Sequence, residues 1–261
     1  MDASYVIVWD LETVPDAAAF GRMRGTPDLE PAEAEAEMGE RFQKLPLHAI
    51  VCIGALIAER APASAGAGSG APASAGVNAW TVRSLGAPHV GERSEGEIIG
   101  AFVERIGELR AQLVSFNGHG FDLPVLRYRA MLHGIAAPGL ARRPYFNRYT
   151  DDALDLCDAL ASFDARSRLT LDGLARFLGF AGKPAGIDGG KVAGLVKEGR
   201  IQEVADYCES DVVNTYRIWL RWELFRGALT AEEHRESEAA LAAFLRARVA
   251  AQPRLAGVFG A

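Results

Sequence analysis

Tyr5-Val6-Ile7-Val8-Trp9-Asp10-Leu11-Glu12-Thr13 is a run of apolar residues that ends abruptly in two carboxylates. Apolar on both faces, it reads as a strand in the middle of a sheet. Side chains alternate along a strand, so Asp10 and Glu12 point to one side, about 6 to 7 Å apart. Two like charges at that spacing repel. A divalent cation beside the pair would account for them, at the strand end where open α/β sheets place their ligands. A solvated Asp and Glu before a Thr-Val-Pro turn accounts for the stretch equally well, so by itself it leaves both readings open.

Outward from this strand, Pro15 ends the extended run, and residues 28–38 read as an acidic helix with Pro31 near its start. Residues 49–59 and 77–84 are strand-like, the second containing Trp80. Between them, residues 61–76 contain only Ala, Pro, Ser and Gly, a composition that buries too little apolar surface to order itself. The expected arrangement is a hairpin lengthened by a flexible insert, at little entropic cost. Ser94 and Glu97 have capping-box spacing ahead of Ile98, Ile99, Phe102, Val103 and Ile106, which recur at helical intervals. That helix leads into a strand over 112–116, a glycine-rich turn over 117–120, and a further helix with Asp122 at or beside its cap. A cap explains Asp122 as well as a functional role does.

Residues 151–156 predict a short fifth strand passing into a helix, and 170–179 a short helix closed by Gly179. Residues 183–190 read as a polar loop. A long helix is expected over 203–226, then a last one capped by Thr230 and Glu233 and running to about Val249. No internal repeat is evident. The division expected is a domain over 1–226 with a C-terminal helical extension over 227–261.

The chain of 261 residues is 49% apolar, enough for a large core, and has no apolar segment approaching the roughly 20 residues of a membrane span. Its start carries no leader pattern, which predicts a soluble cytoplasmic protein. Cys52, Cys157 and Cys208 are odd in number and widely spaced, and are expected to be reduced, buried thiols rather than a disulfide framework or a zinc site. A net charge of −6 argues against nucleic-acid coating by a global positive field. A local track remains open, because Arg142, Arg143, Arg148, Arg166, Arg168 and Lys183 cluster in the middle third.

On the long helix, Tyr207 and Asp211 are four apart and share a face. Alone, such a pair is ordinary. Together with Asp10, Glu12 and Asp122 it resembles the DEDD superfamily of 3′–5′ exonucleases, the DnaQ-like enzymes with a ribonuclease H-like fold. The first motif is Asp10-Leu11-Glu12. The second is Asn117-Gly118-His119-Gly120-Phe121-Asp122, and the third Tyr207-Cys208-Glu209-Ser210-Asp211, in the required order. Asp206 stands where the histidine subclass would place His, so the third motif is similar to that of the tyrosine subclass. With Leu154-Asp155-Leu156, and with Val212-Val213-Asn214-Thr215-Tyr216 after the third motif, the chain over about residues 5–225 resembles a stand-alone bacterial family related to the exonuclease domain of family B DNA polymerases.

The resemblance implies an α/β fold, a mixed five-stranded sheet flanked by helices. It implies two divalent ions, Mg²⁺ or Mn²⁺, held by Asp10, Glu12, Asp122 and Asp211, with Tyr207 orienting the attacking water. The implied substrate is the 3′ end of nucleic acid, single-stranded DNA above all, contacted by Leu11, Thr13, Asn117 and Phe121 and released as nucleoside 5′-monophosphates. An exoribonuclease of the same superfamily and a non-catalytic nucleic-acid-binding module are the alternatives. Hydrolysis of a phosphodiester needs an activated water and neutralisation of developing charge, which a metal pair roughly 3.5 to 4 Å apart supplies, and oxygen ligands suit hard cations. His119 is expected to be a loop side chain, Asp155 a helix cap, and Trp9 either core or a base-stacking ring.

Overall fold

The computed structural model describes residues 4–61, 78–182 and 189–259. The expected flexible insert lies outside the described residues except for Ala61, as do Lys183 and most of the 183–190 loop. Five strands form one mixed sheet: β1 (Ser4–Pro15), β2 (His48–Arg60), β3 (Thr81–Gly86), β4 (Gln112–Ser115) and β5 (Ala153–Asp155). Their order is β3-β2-β1-β4-β5. β2 runs antiparallel to both β1 and β3, whereas β4 and β5 run parallel to β1. The apolar run therefore occupies the central strand, as its two-faced hydrophobicity requires.

Ten helices surround the sheet among the described residues: α1 (Ala17–Arg24), α2 (Pro31–Met38), α3 (Glu95–Leu109), α4 (Asp122–Leu132), α5 (Leu156–Leu160), α6 (Leu171–Phe177), α7 (Val192–Lys197), α8 (Ile201–Phe225), α9 (Ala231–Ala251) and α10 (Ala256–Phe259). Alternation along β1 sorts its side chains between two cores. Val6 and Val8 face a cluster built with α6, α8 and α9, including Val212, Tyr216, Trp219 and Leu241. Ile7, Trp9 and Leu11 face the opposite layer, built with α3 and α4. Asp10 and Glu12 continue the Val6 and Val8 series, so they point toward the α8 layer.

Both expected capping boxes form, at Ser94 with Glu97 and at Thr230 with Glu233. Thr170 caps α6 by accepting from the Gly173 N–H, and Gly179 adopts φ +82° just beyond it. The β3 strand begins later than its sequence suggests, at Thr81. The Trp80 N–H donates to Ser237 Oγ on α9 at 2.9 Å, and the ring sits edge-on to Trp219, so this stretch serves the helical layer instead of the sheet. α9 shares that core through Leu241 and is tied to α8 by Arg248, whose Nε donates to buried Glu209 at 3.2 Å. Among the described residues no helix is long and apolar enough to cross a membrane.

Candidate active site

Because β1, β4 and β5 are parallel, their C-terminal ends share one edge of the sheet, and three of the sequence motifs converge there. Asp10 is half-buried and Glu12 is buried on the face toward α8. Directly after Glu12 the β1–β2 register shifts. Glu12 pairs with Cys52 and Thr13 with Ile50, leaving Val51 as an extra residue on β2. Such a bulge re-aims the strand end and closes its regular pairing at the site.

α8 supplies Tyr207 and Asp211, one turn apart and both buried. The Tyr207 hydroxyl is hydrogen-bonded to Asp211. Burial, then the charges of Asp211, Glu12 and Asp10, push its ionisation far above the ordinary tyrosine value. Tyr207 is therefore a neutral hydrogen-bonding group throughout the physiological range, not a proton-abstracting base. The close approach of α8 depends on Gly54, which pairs with Asp10 across the sheet. A Cβ there would lie 2.6 Å from Cys208 Sγ.

Asp122 opens α4 but does not cap it. Its Oδ1 accepts the Leu11 backbone N–H at 3.2 Å, across the strand end and 111 residues away in sequence. The carboxyl is 3% exposed. Burial, helped by the charge of Asp155, pushes it up to about 7, against the pull of its own and Leu11's N–H groups. The turn before it is held by Asp155, which accepts from the N–H groups of Asn117 at 2.8 Å and His119 at 3.0 Å and caps α5 through Cys157 at 3.0 Å. Asp155 is thus the expected cap and also the anchor of the second motif. Asn117 itself sits at φ +71°, a left-handed conformation that Asn tolerates best after Gly.

The remaining candidates divide between core and cleft. Leu11 is buried in the α3–α4 layer, and its backbone N–H serves Asp122. Thr13 Oγ1 lies 3.1 Å from His48 Nδ1, and the half-buried Phe121 ring meets His48 edge-on at 4.9 Å and exposed Phe42 at 5.9 Å. Trp9, 1% exposed against Phe102, is a core residue. His119 is a loop residue, its Nε2 2.8 Å from the Ala153 carbonyl oxygen.

Cys208 is the neighbour that sequence spacing missed. Oxygens of Asp10 and Glu12 and the Cys208 sulfur all lie within 4.8 Å of one another. A hydrogen bond with Cys52, then burial, holds the thiol protonated by pushing it well up. A protonated thiol is a poor ligand for a hard cation, whereas the two carboxylates are good ones. The donor set thus fits Mg²⁺ or Mn²⁺ on the oxygens, with Cys208 as the wall behind them. The three cysteines are free and buried, although Cys52 and Cys208, far apart in sequence, meet here.

The family described as "Predicted 3'-5' exonuclease related to the exonuclease domain of PolB" matches residues 40–256. The chain belongs to this family. Its enzyme class is accordingly that of 3′–5′ exonucleases, which act on nucleic acid. The match takes in Asn117, Asp122, Tyr207 and Asp211 and starts after Asp10 and Glu12, and the fold joins the two sets. Among solved structures, the family B DNA polymerase of the hyperthermophilic archaeon Pyrobaculum calidifontis is similar, with a TM-score of 0.50 and 18% identity over 85% of this chain. The chain spans 24% of that polymerase, and the likeness is one of fold, consistent with a ribonuclease H-like arrangement of the mixed five-stranded sheet and its helices. A comparison with curated proteins gives no match.

Proposed function

We propose that the protein is a metal-dependent 3′–5′ exonuclease of the tyrosine subclass, degrading single-stranded DNA to nucleoside 5′-monophosphates. The observation that carries this reading is the meeting of Asp10 and Glu12 at the end of β1 with Tyr207 and Asp211 of α8. Two divalent ions, Mg²⁺ or Mn²⁺, would supply water activation and neutralise the charge that develops on the phosphate. Asp10, Glu12 and Asp211 would hold the ions on the α8 side, and Asp122 would support them from across the strand end. Tyr207, kept neutral and donating to Asp211, would orient the water through its hydroxyl oxygen. Asn117 and Phe121, beside Asp122, and Thr13, beside Phe121's partner His48, line the entrance for the terminal nucleotide, while Leu11 acts through its backbone hold on Asp122.

The test uses matched DNA and RNA strands labelled at the 5′ end, with Mn²⁺ and with chelator. The expected result is a ladder shortening from the 3′ end of DNA, abolished by chelator and by Asp10→Ala. Blunt duplex is degraded more slowly, since opening each base-pair step costs about 1.4 kcal/mol. Wild-type turnover by Asp10→Ala overturns the metal assignment. Faster degradation of RNA makes the protein an exoribonuclease, and efficient cutting of a circular single strand overturns the exonuclease reading.

A further inference from the structure

Beyond Asn117, on the edge of the sheet that carries the carboxylates, lies a group of charged and aromatic residues that hydrolysis does not use. Asp158 of α5 has a side chain 1% exposed and is gripped by both Arg148 and Arg168. Arg148 also reaches it through Nε at 3.1 Å, and Arg168 Nη1 donates to Asn117 Oδ1 at 3.3 Å. One buried carboxylate thus fixes two guanidinium groups in place. Both arginines remain partly exposed, their side chains at 40% and 31%. Such pre-set forks suit phosphate oxygens.

Aromatic rings adjoin them. The Arg148 guanidinium lies 5.8 Å from the Phe163 ring centre, and Tyr149 lies 5.1 Å from Phe163. Tyr149 is 75% exposed and Phe163 45%. Phe163 adopts φ +61°, following Ser162 at φ +50°. The left-handed turn closes α5, with the Phe163 N–H donating to the Asp158 carbonyl oxygen at 2.9 Å, and leaves the ring partly exposed. Two exposed rings beside two anchored arginines match the chemistry of a single strand, whose bases stack and whose phosphates need counter-charge. Arg168 joins the group to Asn117, in the turn between β4 and Asp122, so it adjoins the sheet edge where the carboxylates lie.

We propose that Arg148, Arg168, Tyr149 and Phe163 form a track for the single strand upstream of the 3′ terminal nucleotide, the arginines on phosphates and the rings under bases, with Asp158 as the positioning residue. The proposal rests on the exonuclease reading and names where its substrate runs.

The experiment measures kcat/KM against salt for a single strand longer than the roughly 4 to 16 nucleotides that one binding groove spans, and for a dinucleotide. Wild type, Arg148→Ala, Arg148→Lys and Tyr149→Ala are compared. Arg148→Ala is expected to flatten the log–log salt slope by about 0.7, one phosphate contact on a single strand, and to cut the preference for the long strand about tenfold. Arg148→Lys, which keeps the charge, restores the slope. Tyr149→Ala is expected to reduce the same preference by at least about fivefold at unchanged slope, the worth of one stacked base. Its exposed position leaves the melting temperature unchanged, so a loss there is not misfolding. If both alanine variants keep the wild-type slope and preference while wild type shortens both substrates from the 3′ end, the track is overturned and the exonuclease reading stands. If wild type with Mn²⁺ hydrolyses neither, both fall.

Discussion

Replacing Gly54 by alanine tests whether the site depends on how closely α8 lies against the sheet. The added Cβ would sit 2.6 Å from Cys208 Sγ, 3.0 Å from Val212 Cγ2 and 3.3 Å from the Cys208 carbonyl oxygen. Ordinary contact begins near 3.4 Å, so the sulfur must retreat by about 0.8 Å in a close-packed interior. Asp10, the cross-strand partner of Gly54, already touches the sulfur, its carbonyl oxygen 3.7 Å away and Oδ2 3.8 Å. Relief therefore comes from moving either Asp10 or the α8 turn that bears Tyr207 and Asp211. Overpacking of this kind costs about 1 to 3 kcal/mol, which lowers the melting temperature by about 2 to 12 °C in a domain of this size. Activity should suffer more, because misplacement by about 1 Å costs on the order of 100-fold in rate. The assay is kcat/KM on a 5′-labelled single strand with Mn²⁺, alongside thermal melting. Adding Cys208→Ala removes the atom in closest conflict, and the double variant should regain most of the lost turnover. Wild-type turnover and melting in Gly54→Ala, or a double variant no better than the single one, would refute the argument.

Tyr207→Phe keeps the ring and removes the hydroxyl. Turnover should fall by about 10- to 100-fold with Mn²⁺ affinity nearly unchanged, and an equal loss of Mn²⁺ binding would make the hydroxyl structural. In metal-stripped protein, Asp122 is raised to about 7 from its unfolded value, so the penalty for its ionised form is absent below about pH 4, grows as pH rises and is complete above about pH 7. Asp122→Asn should hence raise the melting temperature in chelator at pH 8 and leave it unchanged at pH 4; equal shifts at both would contradict the titration. Arg129, buried on α4, joins Asp16 and Glu95 at 2.6 Å each. Arg129→Met takes the guanidinium from both carboxylates, leaving Glu95 with His133 and the Ile50 N–H and Asp16 with the Ala19 N–H, and should cost about 3 kcal/mol in urea unfolding. A loss below about 1 kcal/mol would show that water replaces the guanidinium.

The parts of this fold that sequence reveals are those set by local periodicity. Alternation put Asp10 and Glu12 on one face of β1, and four-residue spacing put Tyr207 and Asp211 on one face of α8. Both hold, because a strand or helix places its own side chains without outside help. Three short helices, α1, α7 and the four-residue α10, are not evident in the sequence. α1 is alanine-rich with a weak apolar stripe, although Asp16 does accept the Ala19 N–H as a cap, and α7 has only six residues. Long-range contacts left no pattern to read. Cys52 and Cys208 look unrelated in sequence, Gly54 shows no turn or motif, and the bond from the Leu11 N–H to Asp122 spans 111 residues. Asp155 was legible as a cap, but its hold on Asn117 and His119 depends on β4 lying beside β5.

The strand order explains why the carboxylates come from three separated motifs. At the C-terminal end of β1, one neighbour is the start of antiparallel β2, loosened by the bulge at Val51, and the other is the end of parallel β4. β4 delivers Asp122 through the turn that follows it, from the α3–α4 side, and β1 delivers Asp10 and Glu12 toward the α8 side. Only a helix laid across that second face can bring further polar side chains to them, and the long α8 does so against β1 and β2. The sheet residues are fixed by strand pairing and the Asp122 bond. α8 meets the sheet through packing, with the Cys208 sulfur filling the space that Gly54 leaves open, while its polar ties through Glu209 and Asn214 run to α9 and Gly182. The alignment of Tyr207 and Asp211 with Asp10 and Glu12 is therefore a property of that interface, and the glycine opposite Asp10 sets its depth.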